Sequence, residues 1–193
     1  MEDLVPPHTL SELRAALGNI DESTRRTVRM TRHPLRPAWG ERDYIGWRDP
    51  SAPQRGYLFT AHGGALRGIM LTTTRTRTAA GRAVMCELCR IPRRFEQVSL
   101  FVAPTALAER RMSTLGTYLC VDLDCNARVN ALRPLTPLDP PADELVAAHR
   151  AELAGRAAGF VDEVLALGAG HASPHQRSGA RETRSAGESG SAR

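Results

Sequence analysis

The sequence predicts an α+β chain: a small antiparallel β-sheet stapled by two cysteine pairs, with a short N-terminal helical appendage and a long C-terminal helix. Three observations predict it. Apolar residues recur at helical spacing near both ends. Between them lie several short runs rich in Val, Ile, Phe, Tyr and Thr, set off by Gly and Pro. Within that middle stretch sit all 4 cysteines of the chain. The pattern divides into an appendage at 1–38, a cysteine-bearing domain at 39–133, a Pro-rich linker and helix at 134–167, and a tail at 168–193.

The appendage begins with Thr9-Leu10-Ser11-Glu12, a capping-box pattern in which the Thr9 hydroxyl caps the first turn and Glu12 reaches back. Leu10, Leu13, Leu17 and Ile20 then share a helical face. Gly18-Asn19 interrupts the pattern, a second short helix is expected over 23–30, and Pro34 and Pro37 end it. The next segment, Trp39 to Pro50, holds both tryptophans and one of the 3 tyrosines of the chain. Aromatics this concentrated anchor a core or form an exposed binding patch.

Gly56–Ala61 reads as a strand, His62-Gly63-Gly64 as a turn, and Ala65–Thr74 as the returning strand of a hairpin. Thr74-Arg75-Thr76-Arg77-Thr78 would place Arg75 and Arg77 on one face of an extended segment. Two more strands are expected, at Val98–Ala103 and Thr114–Val121, followed by a short helix from Asp124 to Leu132. Pro134, Pro137, Pro140 and Pro141 form a stiff linker. Leu145, Leu153, Ala157, Phe160, Val161, Val164 and Leu165 then share roughly one side of a helix over 142–167. From Gly168 onward no Val, Ile, Leu, Met or aromatic residue occurs, so the tail is expected to be disordered.

Composition sets the limits. Hydrophobic residues make up 41% of the 193 residues but aromatics only 5%, a thin core for this length. A metal that binds only the folded state would add its binding energy to folding. The net charge of +5 favours an acidic partner, nucleic acid or an acidic protein surface. All 26 basic residues are arginine, so a compositional bias toward Arg and Ala also accounts for the charge. The acidic, Pro-broken N-terminus has no secretory pattern, and no apolar run is long enough for a membrane span, so a cytoplasmic protein is expected. In a reducing compartment, 4 cysteines point to metal ligation rather than disulfides.

The ligand pattern is Cys86-Glu-Leu-Cys89, then 30 residues, then Cys120-Val-Asp-Leu-Asp-Cys125. Zinc takes four ligands tetrahedrally, and each close pair can wrap one side of the ion. A tight turn suits the first pair. The second suits a strand end and a helix start: Cys120 closes the strand, and Cys125 meets helix amides that stabilise thiolate charge. Two such pairs joined by a hairpin-sized segment describe a treble-clef zinc finger. Cysteines alone also accommodate an iron–sulfur cluster. Four thiolates leave no open position for an activated water, which makes the site structural.

No enzyme is expected. The chain has no G-x-S-x-G element, phosphate loop or GxGxxG. Among the 6 histidines, His62 reads as a turn residue and His149 as a helix surface residue; Asp122 and Asp124, beside a zinc ligand, read as caps for the following helix.

Four blocks in order, Trp39–Pro50 with its Asp43-Tyr44-Ile45-Gly46-Trp47-Arg48-Asp49-Pro50 core, Met85–Cys89, Val98–Pro104 and Gly116–Cys125, resemble the bacterial elongation-factor-G-binding proteins, the fusidic-acid-resistance family. The resemblance covers about residues 39–132. It implies a C-terminal treble-clef zinc domain, with Cys86, Cys89, Cys120 and Cys125 as zinc ligands, that grips elongation factor G. Family members promote release of the factor from ribosomes stalled by fusidic acid, by binding rather than by chemistry on the drug. The same resemblance offers Phe101 as an aromatic contact for the factor, with packing in the strand core as its alternative, and Arg128 as a basic contact. A larger helical bundle in the resistance proteins has no counterpart in residues 9–32, which favours factor binding over drug resistance. Two other functions fit the residues: an RNA-binding zinc protein that touches the ribosome or ribosomal RNA, and a structural zinc domain that docks through the helix at 142–167.

Overall fold

The computed structural model describes residues 8–30, 42–62, 65–73, 83–104, 114–131 and 135–169. The Arg75/Arg77 alternation, Trp39 and the polar tail beyond residue 169 lie outside these residues.

Helix α1 (Leu10–Ala16) starts with the expected capping box: Thr9 accepts from the Glu12 amide while the Glu12 side chain takes the Thr9 amide. Helix α2 (Glu22–Thr27) is capped by Asp21, which accepts from the Thr24 amide. It ends earlier than the expected 30, because Val28 leaves the helical conformation and its side chain enters the core.

The central element is a five-stranded sheet in the order β1 (Ile45–Arg48), β2 (Arg55–His62), β3 (Ala65–Thr73), β6 (Val98–Pro104), β7 (Thr114–Cys120), with every neighbouring pair antiparallel. Two short strands, β4 (Val84–Met85) and β5 (Pro92–Arg93), form a separate ribbon between β3 and β6 in the chain. The expected strands are present. Strand β1 was hidden in the aromatic segment, whose four residues do not show a clean two-residue alternation.

Register sorts the side chains into two faces. Leu58 opposes Ile69, and Leu71 and Phe101 follow on the same side; Tyr57 opposes Trp47 and Met70, and Phe59 opposes Ile45, on the other. Both faces are covered, so Gly68 to Leu71 are buried without interruption. Helix α1 covers the Tyr57 face with Leu13, joined by Leu17 and Val28, the residues that end α1 and α2. The other face is covered by α3 (Cys125–Val129) and α4 (Ala142–Ala169), which contributes Leu153, Ala157, Val161 and Val164, all fully buried. Phe160 and Leu165 pack at the margin of that cluster.

Trp47 stacks on Phe59 with ring centroids 5.3 Å apart and tilts against Tyr57 at 5.2 Å. Of the two roles open to the aromatic segment, its described residues Tyr44 and Trp47 take the core role, each 2% exposed.

Candidate metal centre

The first cysteine pair lies on the β4–β5 ribbon. Cys86 follows β4, and the Arg90 amide donates to the Cys86 carbonyl at 2.8 Å, closing the turn around Cys89. The closure places Arg90 at φ 56°, a left-handed conformation that non-glycine residues seldom adopt. The ribbon is hung on the edge of the sheet: the Glu87 amide donates to the Tyr118 carbonyl of β7 at 2.8 Å, and the Cys120 amide donates to Cys86 Sγ at 3.3 Å.

The second pair brackets a five-step path out of the sheet. Cys120 is the last residue of β7 and Cys125 the first of α3. Between them the chain turns through Leu123, also at φ 56°, with the Leu123 amide bonded to the Cys120 carbonyl at 2.9 Å.

The fold thus brings together four sulfurs distant in sequence. Cys86 Sγ lies 3.7 Å from Cys125 Sγ, Cys89 Sγ lies 3.8 Å from Cys120 Sγ, and all four fall within 4.8 Å of one another. A regular tetrahedron with zinc–sulfur bonds of about 2.3 Å has edges of about 3.8 Å, so the spacing fits a four-coordinate zinc ion. Among the described residues these four are the group of His, Cys, Asp or Glu side chains placed to hold an ion. All four cysteines are buried and none forms a disulfide. The close approach of the other three sulfurs drives the Cys86 thiol far below the ordinary thiol range and Cys125 far above it. Four thiols this close cannot all ionise until a cation compensates them, and a coordinating thiol is deprotonated outright. The four sulfurs complete the coordination shell, which gives the ion a structural role.

A third segment, far upstream, holds the second pair in place. Arg42 pairs with Asp124 at 2.9 Å, the Asp43 amide donates to Asn126 Oδ1 at 2.7 Å, and Asn126 Nδ2 donates to the Tyr44 carbonyl at 2.9 Å. Tyr44 is buried, and burial together with the neighbouring Cys125 raises its ionisation well above the ordinary phenol range. Its hydroxyl therefore keeps its proton. A Cβ at Gly46 would come within 2.7 Å of the Leu123 carbonyl oxygen, so the absence of a side chain there lets β1 approach the turn. From α4, Arg156 Nε donates to the Leu88 carbonyl in the first cysteine turn at 2.5 Å, and Arg150 pairs with Asp43 at 3.1 Å. Sequence reasoning missed Tyr44, Asn126 and Arg156. The one available signal was the dense block from Asp43 to Pro50, and it carries no hint of contacts made 79 to 83 residues away.

Two expectations are corrected. Phe101, offered as an aromatic contact for a partner, is fully buried at 0% exposure, because its strand turns it toward the face covered by α3 and α4. Its ring instead lies under the Arg48 guanidinium, 5.4 Å from centroid to Cζ. Asp122 and Asp124 do not cap α3 through their side chains: Asp124 occupies the N-cap position without a side-chain cap bond and pairs with Arg42, while Asp122 pairs with Arg128 and accepts from the Asp124 amide at 3.1 Å. Arg128 keeps 20% of its side chain exposed and is the expected contact residue that still reaches solvent. His149 is exposed on α4. No helix among the described residues is long and apolar enough to cross a membrane.

No curated protein and no solved structure matches the chain. A family model, the FBP C-terminal treble-clef zinc-finger, matches residues 12–164. That span reaches beyond residues 39–132 on both sides, from inside α1 to inside α4, where the helices offer apolar spacing rather than distinctive motifs. With the match covering most of its length and its four sulfurs spaced for one zinc ion, the chain belongs to the FBP C-terminal treble-clef zinc-finger family.

Proposed function

We propose that this chain is a protein-binding module that grips translation elongation factor G and promotes its release from the ribosome. The observation that supports the reading is the metal site closed by four buried cysteines in a chain of this family, an arrangement suited to an ion that shapes a binding domain rather than one that reacts. The chain then acts by binding, and fusidic acid tolerance would follow from factor release rather than from any reaction on the drug.

Two exposed apolar residues flank the metal ligands, Met85 beside Cys86 and Val121 beside Cys120. Arg48 donates to the Val121 carbonyl at 3.0 Å, and Arg128 lies on the helix that begins at Cys125. Arginines near exposed apolar residues suit an acidic protein face, where complementary charge speeds encounter and fixes orientation.

The test is a pull-down of purified elongation factor G on the zinc-loaded chain, with and without RNase. Binding is expected to survive RNase and to weaken in Val121→Asp. Capture that disappears with RNase would replace this reading with an RNA- or ribosome-binding one, for which the net charge of +5 is the support.

A further inference from the structure

We infer that Tyr44 is a positioning residue of the zinc centre, orienting Cys125 and holding the turn at Leu123 through one hydroxyl group. The observation is a pair of hydrogen bonds from a single buried oxygen. Tyr44 Oη donates to the Leu123 carbonyl at 2.9 Å and accepts from the Cys125 amide at 3.0 Å.

Each bond answers a local need. Cys125 is the first residue of α3, so its amide has no acceptor inside the helix. The N-cap residue Asp124 gives the helix no side-chain cap. The Cys125 amide is thus an orphan donor in a buried position, and the phenol oxygen accepts from it. Leu123 holds φ 56°, a conformation that persists only where its surroundings impose it. The phenol fixes the Leu123 carbonyl at the same point where β1 comes closest, opposite Gly46. With both ends of the Leu123–Cys125 step tied to one rigid ring, the Cys125 sulfur is presented toward Cys86 without rotational freedom in the backbone beneath it.

The rest of the segment supports the same grip. Arg42 and Asp43 bind Asp124 and Asn126, and the Tyr44 carbonyl takes the Asn126 amide group. Three successive residues of one segment therefore bind four successive residues of the metal loop and helix. Groups that orient metal ligands without touching the ion tune affinity strongly, typically by about 10- to 100-fold when removed.

The experiment measures zinc affinity of the full chain by competition with a chromophoric chelator. Tyr44→Phe keeps the ring and removes the hydroxyl. Leu13→Ala serves as the control: it empties a fully buried site in the aromatic cluster on the other face of the sheet, and it destabilises the fold at least as much. Tyr44→Phe is expected to weaken zinc binding by about tenfold or more, and by more than Leu13→Ala does. If Tyr44→Phe weakens binding no more than the control, Tyr44 is an ordinary core residue and the inference falls. Should either variant fail to fold, amide hydrogen exchange on the zinc-loaded wild type decides the matter. The Cys125 amide is expected to be protected like the strand core, and exchange at the rate of a free helix-end amide would overturn the assignment.

Discussion

The two faces of the sheet are held by different physics. On one side, Trp47, Tyr57 and Phe59 stack beneath α1, Leu17 and Val28, and apolar burial does most of the work, supplemented by the buried Asp49 accepting from Tyr57 Oη at 2.6 Å and Asn19 Oδ1 accepting from the Met70 amide at 2.8 Å. On the other side, four cysteines stand among Leu58, Ile69, Leu71, Phe101 and the buried stripe of α4. That second cluster is built around polar chemistry: a sulfur tetrahedron, a buried phenol, a buried Asn126 and arginines reaching in from α4 and from residue 42. An aromatic cluster weakens by degrees when a side chain is trimmed. A metal cluster fails as a unit, because a missing ligand leaves the remaining thiolates close together and uncompensated.

The largest expected effect comes from breaking the metal side. Cys120→Ser removes a ligand that also ends β7 and whose amide bonds Cys86 Sγ. Structural zinc contributes about 10–16 kcal/mol in small domains, comparable to the whole stability of a typical protein of about 5–15 kcal/mol. The variant is expected to lose stoichiometric zinc by native mass spectrometry and to lose its cooperative thermal transition. Full zinc occupancy with an unchanged transition would contradict the comparison.

A graded loss is expected on the aromatic side. Phe59→Ala vacates a fully buried position between Trp47 and Gly68 and should lower stability by about 3–5 kcal/mol, read from the denaturant midpoint. Zinc stoichiometry in the folded protein should stay at one per chain. Loss of zinc from a still-folded variant would show that the two faces are one unit.

The smallest effect lies in the first cysteine turn. Arg90 holds φ 56° at a position where glycine carries no steric penalty. Relief of about 1–2 kcal/mol is set against about 0.5–1 kcal/mol of added unfolded-state freedom. The exposed Arg90–Glu87 pair contributes little. Arg90→Gly is therefore expected to raise stability by about 0.5 kcal/mol, and a clear fall in the thermal midpoint would mean that the pair or the side chain matters more than the backbone.

Much of this was legible in the chain because the signals were local. The capping box at Thr9 and Glu12 needs only four residues to be recognised, and it forms as read. The hairpin of β2 and β3 announces itself by two extended runs about a Gly-rich turn. Phe101 was misleading for a physical reason. A strand side chain has two possible faces, and whether one of them is solvent depends on what the rest of the chain lays over it. Here α3 and α4 cover that face, and α4 begins forty-one residues after Phe101.

The sequence by itself determined the metal ligands. Two cysteine pairs at turn and helix-start spacing specify four sulfurs around one ion, since the short links leave each pair few ways to close. It also determined the α+β class, through periodicities that any stretch of backbone would obey. Only the tertiary structure decided what surrounds the ion. The grip of residues 42–44 on residues 123–126, the reach of Arg156 to the Leu88 carbonyl and the inward turn of Phe101 all join residues far apart in the chain. Such contacts leave no periodic trace, because their partners are chosen by the path of the whole backbone and not by neighbours in sequence.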